Sequence, residues 1–113
     1  MSGSHITTHV LDTGSGKPAA GVTVALHRLE AGRWVQVATG STDADGRLKN
    51  LGPERLPSGT YWLGFDTGAY FAATGTETFF PEVTLTFAVD EEQAQYHVPL
   101  LLSPFAYSTY RGS

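Results

Sequence analysis

The sequence predicts an all-β domain, a sandwich or barrel of short strands, and three observations predict it. Thirteen glycines and six prolines punctuate the chain at short intervals. Between them lie short runs rich in Val, Thr, Tyr, Phe and Leu, several with strict two-residue alternation. No segment carries a clear helix-length period. At 113 residues the chain fits one domain, spanning residues 1–113.

The first strand is read at His5–Asp12, and Thr13 to Pro18 follows as a loop by composition. The second, Val22–Leu29, puts Val22, Val24 and Leu26 on one face. Ala31-Gly32 then makes a tight hairpin into a strand at Arg33–Thr39. The polar turn Thr42 to Arg47 leads into a short strand at Arg47–Lys49. Thr60–Asp66 alternates Tyr61, Leu63 and Phe65 onto one face. Thr67–Thr74 reads as a short helix limited by Gly68 and Gly75. Val83–Val89 is strongly patterned, with Val83, Leu85, Phe87 and Val89 together. In the next strand Tyr96, Val98, Leu100 and Leu102 share one face, and His97, Pro99 and Leu101 the other. Ser103-Pro104 turns into a last strand at Ala106–Tyr110. The sum is about eight strands, mostly antiparallel. Pro99 cannot donate to a ladder, which points to an edge, a bulge or a groove-facing position.

Composition excludes several functions. Seven Lys and Arg against eleven Asp and Glu give a formal charge of −4, which argues against an electrostatic grip on nucleic acid. No apolar run approaches the roughly 20 residues of a membrane span, and no secretory signal is visible. There is no cysteine, so there is no disulfide or thiolate metal site. A reducing, cytoplasmic location is the expectation. A core this small is filled by its own side chains. A deep ligand pocket therefore forms more easily between subunits than inside one.

Four features offer chemistry: His9, Arg47, His97, and the tail Tyr110-Arg111-Gly112-Ser113. A neutral imidazole takes a proton from water near pH 7, because its free pKa is about 6.5. Two histidines on nearby strands would orient and activate one water. Arg47 offers a planar fork of donors to an anionic or carbonyl-rich substrate. Against this, single strand histidines are more often structural or surface groups, and that reading is kept for His5 and His27. Trp34 and Trp62 read as packing groups. A metal is not expected. His5 and His9 share a strand face but lie roughly 13 Å apart at the usual rise, and His9 with His97 lacks an evident third ligand.

Taken together, these residues resemble the 5-hydroxyisourate hydrolase family, the transthyretin-related proteins. The resemblance is carried by ITTHVLDTGSGKPAAGV, TDADGR, YHVPLLLSPFAYSTY and the terminal YRGS, from about Ile6 to Ser113. It implies a transthyretin-like (prealbumin-like) β-sandwich of two four-stranded sheets with one short helix. It also implies a homotetramer, a dimer of dimers, with active sites in the channel between dimers. The family's functional histidines fall on His9 and His97, its arginine on Arg47, and its terminal motif on Tyr110, Arg111, Gly112 and Ser113. The implied reaction is hydrolysis of 5-hydroxyisourate in urate catabolism, with no cofactor. His9, Arg47, His97 and Ser113 would be catalytic, and Arg47, Tyr110, Arg111 and Gly112 would bind substrate. The alternatives are a transthyretin-like carrier of small ligands without turnover, and a purely structural β-sandwich.

Overall fold

The computed structural model describes residues 3–112. Its elements in chain order are β1 (Ile6–Asp12), β2 (Lys17–Pro18), β3 (Thr23–Glu30), β4 (Arg33–Ser41), β5 (Arg47–Leu48), β6 (Gly59–Phe65), α1 (Thr67–Ala73), β7 (Val83–Val89), β8 (Tyr96–Ser103) and β9 (Ala106–Thr109). They form the expected β-sandwich of two sheets with one short helix. One sheet runs β4-β3-β6-β7 with every neighbour antiparallel. The other runs β2-β1-β8-β9, with β5 also on β1. β2 covers Leu11 and Asp12 and β5 covers Thr8 and His9, so the two short strands follow one another along β1. The sheet is thus four strands wide, although five segments build it.

Alternation fixed the faces but not the direction of pairing. β1 and β8 run parallel, from Ile6 opposite Tyr96 to Asp12 opposite Leu102. Nothing in a two-residue pattern distinguishes that from an antiparallel pair. The buried faces are those the pattern predicts. Ile6 and Val10, Val24 and Leu26, Tyr61, Leu63 and Phe65, and Leu100 and Leu102 form the core between the sheets. Thr8 is buried among them, and its hydroxyl donates to the Val98 carbonyl at 2.6 Å. That bond satisfies a group whose burial would otherwise be costly.

Turn chemistry sets the connections. Ala31 and Gly32 both have positive φ, 50° and 77°, the form a two-residue hairpin turn requires. Asp66 caps α1 by accepting from the Ala69 N–H, and Gly75 at φ 67° ends it. At the end of β1 the Asp12 carboxylate accepts from the Gly14 and Ser15 N–H groups and from the Tyr70 hydroxyl at 2.8 Å. Burial and the bond to Asp12 push the Tyr70 phenol up to about 12, so it remains a donor. This contact ties the helix to β1.

One expectation changes and another narrows. His5 does not share an open strand face with His9. It is buried just before β1, where its Nδ1 accepts from the Leu56 N–H and its Nε2 donates to the Gln93 carbonyl. Pro99 is not on an edge: β8 has β1 on one side and β9 on the other. Its missing N–H is accommodated by a gap in the β8–β9 ladder. Pairing stops at Leu100 opposite Thr109 and resumes at His97 opposite Gly112. The Pro99 carbonyl accepts from the Thr109 hydroxyl at 2.7 Å instead.

Candidate active site

Registers place the expected residues on one outer sheet face, away from the core. Arg47 pairs with His9 across β5 and β1, and His9 pairs with Pro99 across β1 and β8. One step along, Thr7 pairs with His97, and His97 with Gly112. Directly paired residues project to the same side of a sheet, as do residues two apart on a strand. The result is two adjacent rows, Arg47–His9–Pro99 and Thr7–His97–Gly112. His9 and His97 are diagonal neighbours, about 8 Å apart at their Cα atoms from the usual strand spacing and rise.

The loop before β5 aims Arg47. The Asp43 carboxylate accepts from the Asp45 N–H at 2.8 Å and the Arg47 N–H at 3.0 Å. The Arg47 N–H, with that of Asp45, holds the Asp43 carboxyl below the ordinary carboxylate range despite an opposing desolvation cost. Gly46 sits at φ 75°, and a Cβ there would lie 2.4 Å from the Val10 carbonyl oxygen. Only glycine lets the loop reach β1. The same turn brings the Asp45 carbonyl within 2.9 Å of His9 Nε2. A carbonyl can only accept, so Nε2 of His9 carries hydrogen and the neutral ring keeps its lone pair on Nδ1.

His97 is held differently. Its Nδ1 lies 2.9 Å from the Thr7 hydroxyl oxygen. Burial, then the charges of His9 and Arg47, lower its pKa from the ordinary histidine value of 6.5. These three groups are therefore close enough to influence one another, and His97 is neutral at pH 7. Gly112 packs against the ring: a Cβ there would be 2.7 Å from His97 Cδ2. The Gly112 N–H also donates to the His97 carbonyl at 2.8 Å.

The tail residues divide. Gly112 joins the array. Arg111 turns to the opposite face, its guanidinium carbon 4.9 Å from the Tyr96 ring centroid, a cation–π contact that anchors the tail. Tyr110 is exposed. Ser113 lies outside the described residues. Thr7 and Lys49 were not singled out in the sequence, yet both line the cleft at His97 with Arg47 and Gln95. For Thr7 the signal was available: it is two before His9 and so on the same face.

This cleft holds about 200 Å³. Larger hollows of about 490 and 470 Å³ lie elsewhere, on the other sheet beside His27 and Trp62, and between Asp12, Lys17 and the helix. In the first, His27 is stacked on Trp62 at 4.0 Å. Neither gathers a base and an arginine, so chemistry rather than volume locates the site. Among the described residues no three potential metal ligands come together.

The fold is a transthyretin-type β-sandwich that carries two histidines and an arginine on the outer face of one sheet. The chain belongs to the HIUase/Transthyretin family, whose model matches residues 6–112. It is 49% identical to a 5-hydroxyisourate hydrolase of Mus musculus, over 97% of this chain and 96% of that one. Among solved structures it resembles the Klebsiella pneumoniae 5-hydroxyisourate hydrolase, with TM-score 0.86, 40% identity and full coverage of both chains. It also resembles sea bream transthyretin in complex with thyroxine, with TM-score 0.91, 37% identity and coverage of 96% and 94%.

Proposed function

We propose that this protein is an enzyme of urate catabolism that hydrolyses 5-hydroxyisourate to 2-oxo-4-hydroxy-4-carboxy-5-ureidoimidazoline. The observation that carries the reading is the pair of rows that puts Arg47, His9, His97 and Gly112 on one face. Fold likeness alone does not choose between hydrolase and carrier, since one sandwich serves both.

In this mechanism water adds to a ring carbonyl of the six-membered ring. His97, neutral because its pKa is lowered, accepts the proton of the attacking water. His9, fixed through Nε2–H to the Asp45 carbonyl, orients that water with its Nδ1 lone pair. Arg47 donates to the carbonyl oxygen as negative charge develops on it. The C–N bond of the tetrahedral intermediate then breaks, and the proton held by the imidazole passes to the departing ring nitrogen. The ring opens with a carboxylic acid at the former carbonyl, which releases its proton to solvent as the carboxylate. No cofactor or metal enters. Ser113 relays a proton, Gly112 packs on the His97 ring, and Tyr110 and Arg111 serve substrate binding by fixing the tail from the opposite face, where they line a hollow with Tyr96.

A homotetramer, a dimer of dimers, completes the site. The cleft at His97 is smaller than the roughly 300 Å³ at which small-molecule pockets begin, and it opens on an outer sheet face. A second copy laid against that face would close it. The enzyme is cytoplasmic and acts on a small molecule, without nucleic acid or membrane. No helix among the described residues is long and apolar enough to cross a membrane.

The test is ultraviolet spectroscopy of freshly generated 5-hydroxyisourate with wild type and His9→Ala. Faster decay with wild type alone supports the assignment. Equal acceleration by both removes His9 from its role. Decay at the spontaneous rate with folded protein sinks the hydrolase reading and favours the carrier.

A further inference from the structure

We propose that Thr7 is a positioning residue for His97: its hydroxyl oxygen accepts the His97 Nδ1–H and so leaves the imidazole lone pair on Nε2. The inference rests on the reading of His97 as the base and adds how the ring is made ready for that task.

Thr7 and His97 are direct partners in the parallel β1–β8 ladder, and Oγ1 and Nδ1 are 2.9 Å apart. Thr7 is only 6% exposed, which leaves little room for water to take its place. A hydroxyl has one proton and two lone pairs. The Tyr96 carbonyl oxygen lies 3.5 Å from Oγ1 and can only accept. With the hydroxyl proton directed there, the lone pairs are free for Nδ1–H. On its other side the ring meets Gly112, where no Cβ fits. His97 is thus clamped between Thr7 of β1 and Gly112 of the tail beyond β9. The free lone pairs then fall on different nitrogens: Nδ1 on His9, whose Nε2–H is tied to a carbonyl, and Nε2 on His97, which lines the cleft.

The charges near His97 are accounted for from each packed element. β1 contributes His9 and β5 contributes Arg47, both of which lower its pKa. Lys49, just past β5, lines the same cleft. Beyond β9, Gly112 has no charge and Arg111 faces Tyr96. Ser113 lies outside the described residues.

The two possible proton positions predict opposite shifts. If Thr7 accepts from Nδ1–H, it favours the imidazolium over the neutral ring, so removing it lowers the His97 pKa. If Thr7 donates to Nδ1, it favours the neutral ring, and removing it raises the pKa. The experiment follows kcat and KM for 5-hydroxyisourate across pH in wild type, Thr7→Val and Thr7→Ser. It also records the imidazole ¹⁵N resonances of His97 in the wild-type protein, which needs no variant to fold. Expected are a pyrrole-type Nδ1 and a pyridine-type Nε2. Thr7→Val should lose at least about tenfold in kcat, a fraction of what a positioned base supplies. Its KM should barely change, its acidic limb should move to lower pH, and Thr7→Ser should restore both. A pyridine-type Nδ1, or a limb that stays put or moves up, overturns the proposal. Failure of the underlying reading looks different: His97→Ala would keep its kcat while the wild-type ¹⁵N pattern was still as expected.

Discussion

Gly112→Ala tests whether the tail is part of the site or merely follows β9. The added Cβ would stand 2.7 Å from His97 Cδ2 and 3.2 Å from its Cβ and Cγ. Carbon atoms in contact prefer about 3.5–4.0 Å, so ring or tail must move by about 1 Å. Gly112 is not in the left-handed region, so alanine is acceptable to the backbone and the contact carries the effect. A shift of that size at a reacting group costs up to about 10²-fold. The expected loss in kcat/KM is about 10–100-fold, or about 1.4–2.7 kcal/mol of barrier. Stability should hardly change, because neither Gly112 nor His97 belongs to the hydrophobic core. The assay is ultraviolet decay of fresh 5-hydroxyisourate, with circular dichroism and a melting curve on the same samples. Unchanged kcat/KM in a folded variant would refute the packing of Gly112 on His97 as a requirement for turnover. A collapse of the melting curve would make the tail structural instead.

Three further outcomes are expected. Because burial, His9 and Arg47 hold His97 below 6.5, the base stays neutral as pH falls, and the acidic limb of kcat/KM lies below pH 6.5. Arg47→Gln removes one of the lowering charges, so that limb should move up while the rate falls; an unmoved limb would take Arg47 out of the field at His97. Tyr70→Phe removes a donor to the buried Asp12 carboxylate, at a cost of about 1–2 kcal/mol. The melting temperature should drop by roughly 4–8 °C with activity intact, and an unchanged melting temperature would mean the Tyr70–Asp12 contact does not hold the helix.

Much of the fold was legible because core strands announce their faces. Val83–Val89 is bounded as the pattern indicates, and Tyr96, Val98, Leu100 and Leu102 are buried together. His9, Arg47 and His97 were candidates by residue type, and the resemblance joined them into one set. What escaped has physical reasons. β2 is two residues long and pairs by backbone alone, so its side chains carry no pattern. His5 looked like a strand residue, but its ring bonds to backbone groups of Leu56 and Gln93, distant in sequence. Arg111 could be assigned to the far face only once Gly112 was known to pair with His97. A tail outside any patterned strand has no faces to assign.

The core and the proposed site are two sides of one ladder, so the apolar pattern also selects the geometry of that site. Ile6, Thr8 and Val10 must face inward on β1, and Tyr96, Val98 and Leu100 on β8. Those requirements admit only registers that differ by two residues, since a slip of one would bury a histidine and expose the core face of that strand. A slip of two would keep the core faces inward, so local bonds must exclude it. Thr8 to the Val98 carbonyl and Thr7 to His97 Nδ1 both connect partners in the observed register. Thr7 is therefore placed to select the register that sets the two histidines diagonally and to orient one of them. Serine at position 7 retains both capabilities and valine neither. Rescue by serine is for this reason the outcome that best separates a working hydroxyl from a side chain that merely fills space.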